Sequence, residues 1–224
     1  EKLIISSIRS IFHKPPTYFE SIMYLPALSA SCLLLGAQAF SVQKVSSPRM
    51  NTALNSVGLY YSTSTGNTET VAGYIAAAAG LEMEDIGDAK DSDIVGHDAL
   101  IVGAPTWHTG AEDQRSGTAW DDWLYDTLPK LDIADKKVAI FGVGDQESYN
   151  DNFCDAAGEL YDLFAAKGCK VYGFTSQDGY SHSESKAVKD GKFCGLMCDE
   201  DNQYDLSEER ANNWVKQLKD EGFM

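Results

Sequence analysis

Basic residues are scarce in this 224-residue chain: 18 Lys and Arg stand against 34 Asp and Glu, a formal charge of −16 at pH 7. Affinity for duplex nucleic acid comes largely from Lys and Arg on phosphates, so the shortage argues against a nucleic-acid binder. It argues equally against docking to anionic lipid through a polybasic face. The apolar run at 24–36 (YLPALSASCLLLG) has thirteen residues, short of the roughly 20 that span a bilayer, so no membrane insertion is expected. No Cys-x-x-Cys pair occurs among the five cysteines, and no His stands at ligand spacing from two of them, so no zinc or other metal site is expected. Internal repeats and low-complexity tracts are absent. What remains is 43% apolar and 11% aromatic, enough to build a core and to rule out disorder of the whole chain.

The charge is uneven. Residues 1–56 hold Glu1 and Glu20 against Lys2, Arg9, Lys14, Lys44 and Arg49, leaving 32 acidic and 13 basic residues in 57–224, a net of −19. A mildly basic leader on an acidic body marks a targeting segment, which is kept out of the fold argument. The apolar run is followed by Ala37-Gln38-Ala39, a small-x-small signal-peptidase site, and then by Phe40. Residues 40–56 carry Lys44, Arg49, four serines and no acid, as a transit peptide does. A signal at 23–39 followed by a transit peptide at 40–56 resembles the two-part presequences of algae with complex plastids. Residues 1–22, upstream of Met23, read as translated upstream sequence. The competing reading is an ordinary secretory signal on an exported protein.

In the body, 57–62 (VGLYYS), 98–104 (DALIVGA) and 137–142 (KVAIFG) are near-continuous apolar runs, expected as buried strands, and 170–174 is strand-like. Helices are expected over 67–79, stopped by Gly80, and over 120–128, 153–167 (closed by Gly168) and 206–218. Unbroken apolar strands alternating with helices indicate one domain with a parallel sheet covered on both faces. Cys194 and Cys198 are expected on one face of an apolar strand-like run as structural thiols, with Cys154 and Cys169 also structural. His182 reads as a solvated surface residue.

In such a sheet a ligand sits beyond the carboxyl ends of the strands, and the loops there are informative. After the first strand, Ser62-Thr63-Ser64-Thr65-Gly66-Asn67-Thr68 leads into a helix. Hydroxyls, a glycine and the free N–H groups of a helix start make a phosphate cradle. It is neither a Walker A loop nor GxGxxG. Without Lys or Arg, it would hold a phosphate monoester by neutral donors and helix polarity, which favours a permanently bound cofactor over a nucleotide processed with magnesium. The later loops, Pro105-Thr106-Trp107-His108-Thr109-Gly110 and 143–152 (VGDQESYNDN), each place one large aromatic at the ligand edge. Two aromatics facing a gap suit a flat conjugated ring.

Four stretches, 59–68 (LYYSTSTGNT), 103–110 (GAPTWHTG), 141–152 (FGVGDQESYNDN) and 191–203 (GKFCGLMCDEDNQ), in this order and spacing, resemble flavodoxins across the whole of 57–224. The extra length of 175–192, with 186–192 (KAVKDGK), is similar to the segment that interrupts the fifth strand in long-chain members, and 110–121 to algal ones. The resemblance implies a doubly wound five-stranded parallel sheet with helices on both faces, non-covalent FMN as the only cofactor, and an electron-transfer monomer instead of an enzyme. By motif match, Thr63, Ser64, Thr65, Gly66, Asn67 and Thr68 would hold the FMN phosphate. Trp107 and Tyr149 would sandwich the isoalloxazine. Backbone around Pro105, Thr106, His108, Thr109, Gly110, Val143, Gly144 and Asp145 would meet the ring's polar edge, with Asn152 lining the pocket and Asp201 near the ribityl chain. His108 stands where many relatives have Asn or Gly, at a peptide that reorients in the family when the flavin is reduced. Asn67 replaces a lysine found in some members.

The resemblance also implies a carrier taking electrons from photosystem I to ferredoxin–NADP reductase in place of ferredoxin, in the plastid stroma after loss of the leader. Reducing a flavin to an anion inside a body of net charge −19 is disfavoured, and each 1.4 kcal/mol of disfavour lowers a one-electron potential by about 60 mV. The alternative is an FMN-dependent NAD(P)H quinone or nitro reductase on the same fold, for which only Arg115 and His108 stand near the loops to meet a nicotinamide phosphate. A phosphoacceptor signalling domain of like topology needs acids where Tyr60-Tyr61-Ser62 and Ala104-Pro105 stand, and is excluded.

Overall fold

The computed structural model describes residues 56–107 and 115–224. The chain divides into two units, Glu1–Arg49 and Met50–Met224, and every described residue belongs to the second. His108, Thr109 and Gly110, the 110–114 part of the acidic stretch and the leader lie outside the described residues.

The apolar runs form strands β1 (Val57–Tyr61), β3 (Ala99–Pro105) and β4 (Lys137–Val143), joined by β2 (Met83–Asp85) and β5 (Lys170–Tyr172). The main path runs β2-β1-β3-β4-β5, every neighbouring pair parallel. This is the doubly wound sheet expected from the sequence. Side-chain alternation splits the core in two. Leu100, Val102, Val138 and Ile140 enter one apolar cluster, while Leu59, Ile101, Ala139 and Phe141 enter the other. Helices α1 (Asn67–Ala79) and α5 (Tyr204–Asp220) cover the second face with Val71, Ile75, Trp214 and Leu218. The short α2 (Asp91–Gly96), α3 (Trp120–Asp122) and α4 (Asp155–Ala166) cover the first. Each fully buried large apolar side chain contributes about 1.5–3 kcal/mol relative to exposure.

The fifth lane of the sheet is filled twice. β5 pairs with Lys137–Ala139 of β4, and a separate strand β8 (Leu196–Cys198) pairs in parallel with Phe141–Val143. Between them the chain leaves at Gly173, whose φ of +79° turns it away, and carries an antiparallel pair, β6 (Val188–Lys189) with β7 (Lys192–Phe193). The excursion spans 173–195, slightly wider than the 175–192 expected. It re-enters at Gly195, where an added Cβ would lie 1.8 Å from Ile140 O; only a hydrogen fits there.

Three elements differ from their sequence expectation. The helix at 120–128 is one α turn followed by a π turn (Trp123–Thr127) and a 3-10 turn (Leu128–Lys130). The wider π turn returns Leu128 to the face that buries Trp120, Trp123 and Leu124, and Pro129 ends regular helix. Helix α4 begins at Asp155 because Cys154 adopts a left-handed φ of +55°, though Phe153 is buried as expected. Cys194 and Cys198 do not share a face. The bend at Cys194 and Gly195 breaks the two-residue period, so Cys194 joins one core cluster and Cys198 the other. β2 and α2 carried too weak a pattern for the sequence reading to name.

His182 is half-buried and not the fully solvated residue expected. Its ring packs against Phe153 at 5.4 Å and Phe193 at 5.1 Å, its Nδ1 is buried without a hydrogen-bond partner, and desolvation holds its pKa below the ordinary imidazole value. Cys154, Cys169, Cys194 and Cys198 are all buried and unpaired. Burial pushes the Cys194 and Cys198 thiols up to about 12. Among the described residues no helix is long and apolar enough to cross a membrane, and no cluster of three metal-capable side chains occurs.

Two outcomes follow from this packing. Gly195→Ala should destabilise by about 3 kcal/mol or more in urea unfolding, since its methyl must displace the Ile140 carbonyl. Cys154, Cys194 and Cys198 should resist a thiol-exchange reagent at pH 8 in native protein and react within minutes in guanidinium; rapid native labelling would contradict their burial.

Candidate functional site

The carboxyl ends of β1, β3, β4 and β8 open onto one edge, and four loops meet there. The loop after β1 is built around Gly66, which takes a left-handed φ of +95° that L side chains avoid. Its N–H donates to Thr63 Oγ1 at 2.9 Å, and its carbonyl accepts from Thr70 N at 2.9 Å, starting α1. No side chain caps this helix, so the first-turn N–H groups and their positive end face the loop. Thr68 sits in that turn, fully buried, with an Oγ1 that has no hydrogen-bond partner among the described residues. An orphaned buried hydroxyl is costly unless a ligand completes it. The space beside Gly66 is open, with nothing within 4 Å of a built Cβ. The cradle therefore fits a phosphate. Ser64 ties it to the neighbouring segment through Gly117 O at 3.4 Å.

The two aromatics expected at this edge are both exposed, Trp107 at 57% and Tyr149 at 53%. For residues of their size on loops with a rigid sheet behind them, this is the placement of ligand contacts. The loop under Trp107 is pinned: Thr106 N donates to Val143 O at 2.9 Å, and Thr106 Oγ1 accepts from Ala156 N at 3.0 Å. Gly144 N is likewise spent on Cys198 O at 3.1 Å. At these two positions the carbonyls, not the N–H groups, are what the loops can offer a ring edge.

The loop carrying Tyr149 is shaped by Asp145. Its Oδ1 accepts from Ser148 N at 2.8 Å, Glu147 N at 3.0 Å and Asn202 Nδ2 at 2.9 Å, and its carbonyl accepts from Tyr149 N at 3.1 Å. Partial desolvation pushes this carboxyl up, but the bonds from Ser148, Asn202 and Glu147 outweigh it and hold the pKa below the usual carboxylate value. Asn152 lies on the next turn, its amide donating to Asp155 Oδ2 at 3.2 Å.

Sequence reasoning passed over the residue that unites these loops. Asp199, directly after β8, is fully buried. It accepts from Gln146 N at 3.1 Å, Asp201 N at 3.2 Å, Asn202 N at 3.0 Å and Asn202 Nδ2 at 2.9 Å. Gln146, also buried, receives Ser181 N at 2.6 Å and so connects the excursion to the same knot. The signal was visible as Asp199-Glu200-Asp201-Asn202 straight after an apolar run, a capping and turn composition. Asp201 hydrogen-bonds Asn67, bringing the loop after β8 to the cradle. Desolvation first, then Asp145 and Asp199, push the Asp201 carboxyl above its ordinary value.

The sign of that shift gives an outcome. A carboxyl with a raised folded pKa binds its proton more tightly in the folded state, so its contribution to stability falls as pH climbs through that pKa and stays low above it. Asp201→Asn should therefore raise the urea midpoint at pH 7 and flatten its decline between pH 4 and 6. An unchanged or lowered midpoint at pH 7 would show that the carboxylate is not strained there.

With this geometry in hand, comparison with known proteins is decisive. The flavodoxin family model matches residues 59–214. The chain is 44% identical over 172 residues to a flavodoxin of Synechocystis sp., covering 74% of this chain and 97% of that protein. It is 45% identical over 169 residues to a flavodoxin of Haemophilus influenzae, covering 74% and 94%. Among solved structures, Fusobacterium nucleatum flavodoxin bound to flavin mononucleotide aligns with a TM-score of 0.67 at 32% identity, covering 74% of this chain and 97% of that one.

Proposed function

The chain belongs to the flavodoxin family, and on that premise we propose that it binds FMN non-covalently and carries single electrons at low potential, as an electron-transfer protein and not an enzyme. The observation that carries this reading is the uncharged cradle at 63–68, with its orphaned Thr68 hydroxyl, set beside two exposed aromatics on one sheet edge. Thr63, Ser64, Thr65, Asn67 and Thr68 hold the phosphate with hydroxyl, amide and helix-start donors, and Gly66 leaves room for it. Trp107 and Tyr149 cover the ring and exclude water from it. Pro105, Thr106, Val143 and Gly144 present backbone to its polar edge, a role the family resemblance also assigns to His108, Thr109 and Gly110. Asp145 keeps the Tyr149 loop in shape; Asn152 and Asp201 complete the wall. Bound FMN supplies one-electron redox chemistry, and the residues around it set how readily the ring accepts negative charge.

Electrostatics support a low potential for that chemistry. The body's net charge of −19 and the acids Asp145, Asp199 and Asp201 around the site oppose any added electron, and the nearby helix polarity acts on the phosphate instead. The same surplus steers the monomer onto basic docking surfaces. With the two-part leader, this supports a role in the plastid stroma, taking electrons from the acceptor side of photosystem I and delivering them to ferredoxin–NADP reductase in place of ferredoxin. A quinone reductase would need cations for a nicotinamide phosphate. Arg115, the basic residue described near these loops that the sequence reading singled out for that role, is occupied by Glu159 at 3.9 Å and by the Tyr125 ring at 4.3 Å.

The purified protein should show a visible flavin band, titrate in two separate one-electron steps, and stay oxidised when mixed with NADPH alone. Illuminated photosystem I should then reduce it, and adding the reductase should turn that into NADP+ reduction. Direct reduction by NADPH, or a single two-electron step, would defeat the carrier reading. N-terminal sequencing of the mature protein should find a start between Asn51 and Ser56; a start at Phe40 would indicate secretion. Because phosphate binds here among acids, raising the salt concentration from about 10 to 150 mM, which shortens the screening length from ~30 to ~8 Å, should tighten FMN binding.

A further inference from the structure

Arg210, on α5, is out of keeping with the rest of this acidic body. Among the described residues no carboxylate lies within ion-pairing reach of it and no acceptor takes its N–H groups, and Nη1 is buried without a partner. It is nonetheless held in place: the guanidinium carbon lies over the Tyr180 ring, 4.2 Å from its centroid. Tyr180 is fixed in turn by its hydroxyl on Met197 O and by edge contact with Phe193 at 5.1 Å. A stacked guanidinium has lost most of its rotamer freedom, so little entropy remains to oppose a further hydrogen bond. Beyond its favourable contact with the Tyr180 ring, this half-buried cation makes no ion pair among the described residues, although acids exceed bases 32 to 13 in 57–224.

The arginine borders a cleft of about 220 Å³ between the excursion and α5, which no residue of the FMN cradle lines. Arg210, Asn213, Trp214 and Gln217 follow helical spacing on the same face of α5. The Trp214 indole is tethered to Gly173 O at 2.7 Å and Gln217 to Phe174 O at 3.0 Å, so the floor is rigid. Asn213 is exposed, and its amide makes no hydrogen bond among the described residues. Leu196 and the Tyr180 and Trp214 rings supply apolar wall.

We propose that this cleft is a binding site for a small monocarboxylate with an apolar body, its carboxylate taken by the Arg210 fork with help from Asn213 and its body laid against Tyr180 and Trp214. A carboxylate matches the planar fork in two parallel hydrogen bonds. Asp178, which accepts from Ser176 Oγ at 2.7 Å, lines the same cleft and repels a dianion such as phosphate about twice as strongly as a monoanion. The surplus of negative charge similarly discourages an acidic protein segment. A compact, singly charged, partly apolar molecule is what the cleft's chemistry admits.

The test uses FMN-loaded, 15N-labelled protein titrated with benzoate, with its neutral analogue benzamide, and with inorganic phosphate, following the Trp214 indole and the Asn213 and Gln217 amides by NMR. Benzoate should give saturable shifts at these groups, with benzamide and phosphate at least about tenfold weaker, the loss expected when a charge-assisted bidentate pair is missing or opposed. Arg210→Gln should remove benzoate binding, and Arg210→Lys, which keeps the charge but not the fork, should weaken it. Asn213→Asp, a surface change that puts a carboxylate at the mouth, should abolish it even if Arg210→Gln folds poorly. Linear, unsaturated shifts, equal binding of benzamide, tighter binding of phosphate, or benzoate binding that survives Arg210→Gln would overturn the proposal. The flavin spectrum reports the cofactor separately, so loss of one site is not mistaken for loss of the other.

Discussion

Everything at the ligand edge depends on how β4 is paired. A strand buried in the middle of a parallel sheet must have its backbone groups satisfied along its whole length. β3 does this on one side for all seven residues, while the other side is shared between β5 and β8. The hand-over falls at Ile140, and it is possible only because Gly195 brings no side chain against the Ile140 carbonyl. Once β8 is seated, Cys198 O takes Gly144 N and Asp199 arrives beneath the loop that carries Tyr149. The aromatic at the edge is positioned by a backbone junction on the opposite side of the strand.

Asp199 shows how a very acidic protein can bury another acid. Taking a carboxylate out of water costs several kcal/mol, and among the described residues no cation pairs with it. Four N–H groups from Gln146, Asp201 and Asn202 do the work instead. At about 1.5–3 kcal/mol for each hydrogen bond to a charged group, four bonds are enough to offset the burial. The phosphate cradle follows the same rule, using hydroxyls and a helix start in place of lysine. Local dipoles solve the charge problem at each point, so the long-range negative field of the body is left intact.

Much of this was legible from the residues alone. Unbroken apolar runs announced β1, β3 and β4, and Gly80 closed α1 at the residue expected. The three loops after those strands, and the aromatics in them, stand where such a sheet exposes its chemistry. What escaped notice depended on contacts distant in sequence. β2 and α2, three and six residues long, are short and take their conformation from neighbours. Cys194 and Cys198 looked like one strand face, since periodicity cannot see a bend imposed by a glycine against a neighbouring carbonyl. His182 read as solvent-facing because polar residues surround it in sequence, whereas Phe153 and Phe193 enclose it in space. Asp199 passed as one more acid in an acidic run; its role appears only when Gln146 and Asn202 are seen to meet on it.

The excursion between β5 and β8 leaves and rejoins the sheet in the same lane, so its ends are held at a fixed separation whatever lies between them. Closing a longer flexible loop between fixed ends costs only about 0.6 kcal/mol per doubling of its length. Extra length at the exposed turns of 173–195 is therefore nearly decoupled from the sheet's stability, whereas Ala187, Phe193, Cys194 and Gly195, packed into the core or against β4, are not free to vary. In evolutionary terms the exposed turns of this stretch are where the fold can lengthen or shorten while the lane, and the edge it supports, are inherited unchanged.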